Sequence, residues 1–319
     1  MSEKLIGFLS FKESLPQAVI DIINNRKIDG IRAEHCLIGE ICLKDICKYS
    51  MIIDRASHII KTYRPYLKHA AVSGTYIINN PFWVGADDKF FNYSLANSIG
   101  ISVPKTICLP SVEYPFGIIE ADLSNLKNSL DWDNIFDRIG FPAVLKPHDG
   151  YGGRNVTVIN NRDEFFKAYG RSGRNVMLLQ EFIEYEHYIR CLVIGENNVL
   201  PIKYDPHAPF GGKQYIVDHN HLSPKLGKRI LDDCVKINRA LGYDMNSIEF
   251  AIKDNIPYAV DFMNPVPDAE PQRISEEYFQ WLITKLADTA IDYVQQNKKI
   301  IDAEKIQKGE GFNFGAIHL

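Results

Sequence analysis

The chain has 319 residues, 45% of them hydrophobic, with 36 basic and 40 acidic side chains and a net charge of −4. That is enough chain for two or three packed lobes, and its charge gives no electrostatic case for nucleic acid as the main partner. No stretch approaches the roughly 20 apolar residues of a membrane span, and the apolar run in MSEKLIGFLSFKE is too short for a signal peptide, so a cytoplasmic protein is expected.

In chain order, KLIGFL (4–9) reads as a first strand. Ser14 is placed to cap a helix, SLPQAVIDIINN, with Pro16 in its first turn. MIID (51–54) is a short strand, a helical stretch follows near 58–72, and TYIINNP (75–81) is again extended. Strands alternating with helices predict an α/β lobe with a parallel sheet over residues 1–80. A helix over ADDKFFNYSLANSIG ends at Gly100. ISVPKTICLP (101–110) is extended, 110–130 is irregular, and DWDNIFDRIG (131–140) is a short helix. From 141 the pattern changes to hairpins at 143–159, 188–204 and 247–263, separated by helices at 162–170, 223–242 and 275–297. This predicts a two-lobed α+β body with antiparallel sheets over 81–297, then a polar tail at 298–319. The six cysteines, Cys36, Cys42, Cys47, Cys108, Cys191 and Cys234, form no CxxC pair and read as buried reduced thiols.

Three stretches carry chemistry. FPAVLKPHDGYGGRNVTVI (141–159) places Lys146 at the end of an apolar strand, ahead of Gly150, Tyr151, Gly152 and Gly153. Such glycines permit the close backbone approach of a phosphate-gripping loop, although a plain hairpin tip would use them too. In the second, 188–204, a four-residue GENN loop would set Arg190 opposite Lys203 on one face. Two facing cations destabilise a hairpin unless an anion lies between them or both splay into solvent. In the third, SIEFAIKDNIPYAVDFMNP (247–265), a three-residue loop at 254–256 gathers the apolar positions on one face. The other face then carries Glu249 opposite Asp261, with Asn264 close by. Paired carboxylates with a neutral oxygen suit Mg²⁺ or Mn²⁺. His207 and Lys213 lie in a glycine-containing loop that would cover a substrate or simply be solvated.

With these residues in place, the chain resembles the ATP-grasp superfamily of carboxylate–amine ligases, nearest to its glutamate-ligase and glutathione-synthetase-like members. The resemblance runs over about 75–297. It is carried in order by INNPFWVGADDKFFNYSLANSIGISVPKT, FPAVLKPHDGYGGRNV, LLQEFIEYEHYIRCLVIG, IEFAIKDNIPYAVDFM and NPVP. It implies that Lys89 and Lys146 contact ATP phosphate, Lys146 also reaching the adenine edge, and that the loop from Gly150 to Arg154 closes over the phosphates. It makes Gln180, Glu181, Phe182 and Ile183 the adenine hinge. Arg190 and Lys203 would hold the transferred phosphoryl group, and Glu249, Asp261 and Asn264 the Mg²⁺. Two departures stand out. Asp261 and Asn264 are three apart, so the strand needs a bulge or bend to bring both to one metal. The position of the usual ribose acid holds Tyr188, leaving Glu186 as a substitute.

The expectation is therefore an ATP-dependent ligase that activates a small-molecule carboxylate as an acyl phosphate and joins it to an amine, an amino acid or peptide being the expected class. A non-catalytic nucleotide-binding module and a kinase on the same fold are the alternatives. The sequence leaves a homo-oligomer open.

Overall fold

The computed structural model describes residues 3–83, 88–127, 129–150, 155–209 and 212–301. Strands β1 (Lys4–Leu9), β2 (Ile31–His35), β3 (Tyr49–Asp54) and β4 (Tyr76–Ile78) form a parallel sheet in the order β2-β1-β3-β4, crossed by helices α1 (Ser14–Asn25) and α2 (Tyr63–Val72). The predicted parallel sheet is there. Strand β2 was not anticipated, because IRAEH is an edge strand with only Ala33 buried and so lacks an apolar run. Ser14 does not cap α1. The N-cap position is Glu13, and the Ser14 N–H and hydroxyl instead donate to the Glu270 carboxylate at 2.9 and 2.7 Å, a partner 256 residues away.

The chain divides into two compact units, one of residues up to 87, 187–250 and 261 onward, the other of 88–186 and 251–260. Within the second, helices α3 (Lys89–Ser98), α4 (Trp132–Ile139) and α5 (Arg162–Tyr169) accompany strands β5 (Thr106–Leu109), β6 (Ala143–Pro147), β7 (Thr157–Ile159) and β8 (Met177–Glu181). These strands make an antiparallel sheet ordered β5-β8-β6-β7. Its core gathers Leu145, Leu179, Phe136 and Phe165, with Trp132 packed against the aromatic rings.

Strands β9 (His187–Ile194), β10 (Asn198–Tyr204), β11 (Tyr215–Ile216), β12 (Met245–Lys253) and β13 (Ile256–Asp261) form a third sheet, ordered β11-β10-β9-β12-β13, accompanied by helices α6 (Pro224–Leu241), α7 (Pro271–Ile274) and α8 (Glu276–Gln295). Ser223 caps α6 by accepting from the Leu226 N–H, and Gly242 ends it at φ +67, a conformation that favours glycine. Helix α8 buries Leu282, Ile283 and Leu286 against Ile6 and Met51 of the parallel sheet and Leu192 and Ile202 of the third. Each fully buried aliphatic side chain contributes about 1.5–3 kcal/mol of transfer free energy, so this helix ties the two sheets into one core. Among the described residues no helix is long and apolar enough to cross a membrane. All six cysteines are free thiols, as read. Only Cys191 and Cys234 are buried; Cys36 and Cys47 are half-buried, and Cys42 and Cys108 are exposed.

A buried polar knot closes this core. The Asp244 carboxylate accepts from the Tyr76 hydroxyl at 2.6 Å and the Tyr293 hydroxyl at 2.9 Å. Burial holds the Asp244 carboxyl above its ordinary 3.8 despite both donors. A carboxyl raised in the folded state binds its proton more tightly there than in the unfolded chain. Its stability contribution is therefore full below pH 3.8 and is lost as pH rises through the folded value. Asp244→Asn is expected to remove that increment, so melting temperature should gain less on acidification from neutral pH in the variant than in the parent. Identical pH profiles would show that Asp244 does not titrate differently on folding.

Candidate functional site

Lys146 is set by the strand that carries it. It sits on β6, paired with Leu178 of β8, with its side chain only 7% exposed. Its ammonium donates to the Tyr93 hydroxyl at 2.6 Å, the Gln180 side-chain oxygen at 2.9 Å and the Val260 carbonyl at 3.3 Å, and lies 4.9 Å from the Tyr93 ring centroid. Tyr93 in turn donates to the Val260 carbonyl in a very short bond. A phenol, an amide and a carbonyl, all neutral groups, thus orient the lysine. Sequence reading missed Tyr93, which sits on the predicted helix α3 with nothing in the local pattern to mark it.

Lys89 opens α3, and its backbone N–H donates to the His148 carbonyl at 2.9 Å, two residues before Gly150. At Gly150 a Cβ would stand 3.3 Å from the Pro147 side chain, closer than is comfortable. Tyr151, Gly152, Gly153 and Arg154 lie outside the described residues. Gln180 pairs on both sides, with Thr106 of β5 and Val144 of β6, and its side chain spans from Lys146 to the Thr106 hydroxyl. Its observed task is to hold Lys146. Beyond Glu181 the chain leaves the ladder, so the backbone of Phe182 and Ile183 is not committed to a neighbouring strand. Glu186 is exposed, and its N–H donates to the Ile252 carbonyl at 2.8 Å.

The predicted facing pair Arg190 and Lys203 is not formed. The β9–β10 loop has three residues, not four. Asn198 pairs with Ile194, Gly195 takes φ +63, and a Cβ there would meet Thr289 at 3.1 Å. One residue fewer in the loop slips the register by one and turns the side chains over. Arg190 therefore opposes Ile202, and Lys203 opposes Ile189, on the other face. Lys203, 42% exposed, pairs with Asp218 at 3.3 Å. Arg190, 13% exposed, donates from Nη1 to Glu249 Oε1 at 2.7 Å and from Nη2 to the Ser247 hydroxyl at 3.0 Å. Its guanidinium stacks 5.3 and 5.8 Å from the Tyr204 and Tyr215 ring centroids. So the anion that Arg190 faces is a carboxylate of the same sheet.

The β12–β13 turn also departs from expectation. Strand β12 ends at Lys253 and β13 begins at Ile256, leaving two loop residues. Asp254 and Asn255 take φ +53 and +59, the two left-handed residues of a type I′ hairpin. The apolar pattern favoured three, but β12 is buried on both faces, so alternation could not select the register. A two-residue loop sets Val260, not Asp261, opposite Glu249. At the far end, however, the Ser247 N–H reaches the Asn264 carbonyl at 3.1 Å, two residues beyond the partner that the turn dictates. Asn246 fills the resulting bend, accepting from the Asn264 N–H and donating to the Phe262 carbonyl, both at 3.0 Å. The strand irregularity that the three-residue spacing of Asp261 and Asn264 demanded is therefore present. Asn246 and Ser247, both fully buried, were missed, although two polar residues inside the apolar run MNSIEF were their signal.

Glu249 accepts from both sides, from Arg190 at Oε1 and from the Tyr188 hydroxyl at Oε2, 2.5 Å away. Burial, then the negative charge of Glu249 and its hydrogen bond, then the charge of Asp261, hold the Tyr188 phenol well above its ordinary value. Both carboxylates thus act on one hydroxyl. The Asn264 side-chain amide donates to the Ser247 carbonyl at 3.2 Å. Two carboxylates and a carboxamide are hard oxygen donors of the kind Mg²⁺ takes. Arg190 offsets the charge of Glu249 within the sheet itself.

Residues 115–206 match the model of the RimK-like ATP-grasp domain. The mitochondrial pyruvate carboxylase of Mus musculus is 26% identical over 147 residues, which is 42% of this chain but only 12% of that protein. The D-alanine–D-alanine ligase of Bacillus anthracis is 26% identical over 237 residues, 69% of this chain and 74% of that enzyme. Among solved structures, D-alanine–D-alanine ligase from Bacillus anthracis complexed with ATP superposes with a TM-score of 0.62 at 18% identity, covering 97% of this chain and all of that one.

Proposed function

The chain has the ATP-grasp fold and carries a RimK-like ATP-grasp segment, and from that premise we propose that it is an ATP-dependent carboxylate–amine ligase. A carboxylate oxygen of the substrate attacks the γ-phosphorus of ATP, the bond to ADP breaks, and an acyl phosphate forms. The amine nitrogen then attacks the acyl carbon, phosphate leaves, and the nitrogen gives up a proton. Catalysis of this kind rests on positioning and charge neutralisation, so no side-chain nucleophile is required.

One observation carries the reading: the half-buried carboxylate Glu249, locked between Arg190 and Tyr188 on a sheet whose last strand ends at Asp261, with Asn264 bonded to Ser247 just beyond it. Glu249, Asp261 and Asn264 would hold Mg²⁺ or Mn²⁺, which when bound neutralises charge on the transferring phosphoryl group. Lys146 and Lys89, with the loop that begins at Gly150, are assigned to the nucleotide phosphates, and Phe182 and Ile183 to the adenine edge. Arg190, rather than Lys203, is assigned to the phosphoryl group. The D-alanine–D-alanine ligase similarity favours amino-acid substrates, and a cytoplasmic location is part of the same proposal. The test is a screen of amino acids and short peptides in pairs for release of ADP and phosphate, with mass analysis of the product. Release that requires both partners and yields their condensation product is expected. Nucleotide binding with no turnover on any pair would mark a binding module, and a stable phosphorylated product without free phosphate would mark a kinase.

A further inference from the structure

We propose that Tyr188 is a positioning residue for the metal ligand Glu249 and does not contact the nucleotide ribose. This rests on the metal reading of Glu249, Asp261 and Asn264 above. Tyr188 lies two residues from Arg190 on β9, so both side chains leave one face of that strand. They close on one carboxylate from its two oxygens, at 2.5 Å from the phenol and 2.7 Å from the guanidinium. Arg190 is itself anchored by the Ser247 hydroxyl at 3.0 Å and stacked on Tyr204 and Tyr215. The Tyr188 ring lies 6.0 Å from Tyr204, centroid to centroid, which continues that aromatic bed.

The chemistry follows from the donors. The Tyr188 hydroxyl donates its proton to Glu249 Oε2 at 2.5 Å. A carboxylate offers about four lone-pair sites, and Tyr188 and Arg190 occupy one on each oxygen. Held at both oxygens, the carboxylate keeps a fixed orientation, which is what an orienting partner does for a metal-bound carboxylate. A phenol whose proton is given to Glu249 cannot also donate it to a ribose hydroxyl.

Tyr188→Phe deletes the hydroxyl and keeps the ring, so the aromatic packing should survive, and a thermal melt checks it. Manganese binding in the presence of ADP is followed by electron paramagnetic resonance, and ADP binding is measured separately in EDTA. The variant is expected to bind Mn²⁺ about tenfold or more weakly, in the range found for lost outer-shell partners, with ADP affinity in EDTA unchanged. Weakened ADP binding in EDTA with normal Mn²⁺ binding would return Tyr188 to the ribose and overturn the proposal. Normal values for both would also overturn it. Asp261→Asn, run alongside, tests the metal reading itself: if that variant binds Mn²⁺ as well as the parent does, the reading of the three ligands fails, whatever Tyr188 does.

Discussion

Asp261→Asn is expected to lower Mg²⁺-dependent turnover by more than about a hundredfold, since it removes one unit of charge from a residue proposed to coordinate the metal directly. The substitution is nearly isosteric and leaves the buried pair of Arg190 and Glu249 intact. That makes it a better probe than Glu249→Gln, which would strand a buried guanidinium at a cost of about 3–5 kcal/mol. With Glu249 already offset by Arg190, relief of repulsion gives little, so the thermal stability of Asp261→Asn should stay within about 1 kcal/mol of the parent. Turnover retained at the parent level in Mg²⁺ would remove Asp261 from the metal site. A large loss of stability instead would make it a structural residue of the β13 bend.

Lys146→Met is the second large effect. A hydrogen bond from a charged group is worth about 1.5–3 kcal/mol, so nucleotide affinity should fall roughly tenfold to a hundredfold. The fall should appear in binding itself and not only in turnover. The substitution also leaves the Gln180 side-chain oxygen and the Tyr93 hydroxyl without their donor, and a lower melting temperature is expected along with the weaker binding. Isothermal titration with ADP separates the two effects, because ligand affinity is read on the folded population. Unchanged affinity in a destabilised protein would assign Lys146 to the core of its unit and take it out of the nucleotide site.

How much of this was legible depends on the range of each interaction. The hairpin at 143–159 and the placement of Lys146 on a strand follow from local apolar runs, and the structure has them at β6 and β7. The parallel N-terminal sheet followed from alternating elements. The two failures of register have one cause. At β9–β10 and at β12–β13 the loop length was inferred from sequence pattern, yet a single residue of slip exchanges the faces. In the first hairpin Gly195 sits against Thr289 of α8, 94 positions away in sequence, and so the turn is shaped by a contact that no local pattern records. In the second, β12 is buried on both sides, which erases the alternation the argument relied on. Ser14 shows the same limit from the opposite side: a residue with every local mark of a helix cap bonds to Glu270 instead. Partners such as Tyr93 for Lys146, and Tyr188 for Glu249, belong to this long-range class. What local pattern did carry was residue type, for it selected Lys146, Arg190, Glu249 and Asp261 as the charged groups to follow.

The central claim, that ATP activates a carboxylate for attack by an amine, is tested most directly by oxygen transfer. Amino acids labelled with ¹⁸O in the carboxyl group are incubated with the protein, ATP, Mg²⁺ and the amine partner found in the screen, and the released phosphate is analysed by mass. An acyl phosphate passes one carboxyl oxygen to the phosphate when the amine displaces it, so phosphate carrying a single ¹⁸O is predicted, in step with ADP and the condensation product. Phosphate released without label would mean that water, not a substrate carboxylate, takes the phosphoryl group, and would contradict the ligase account.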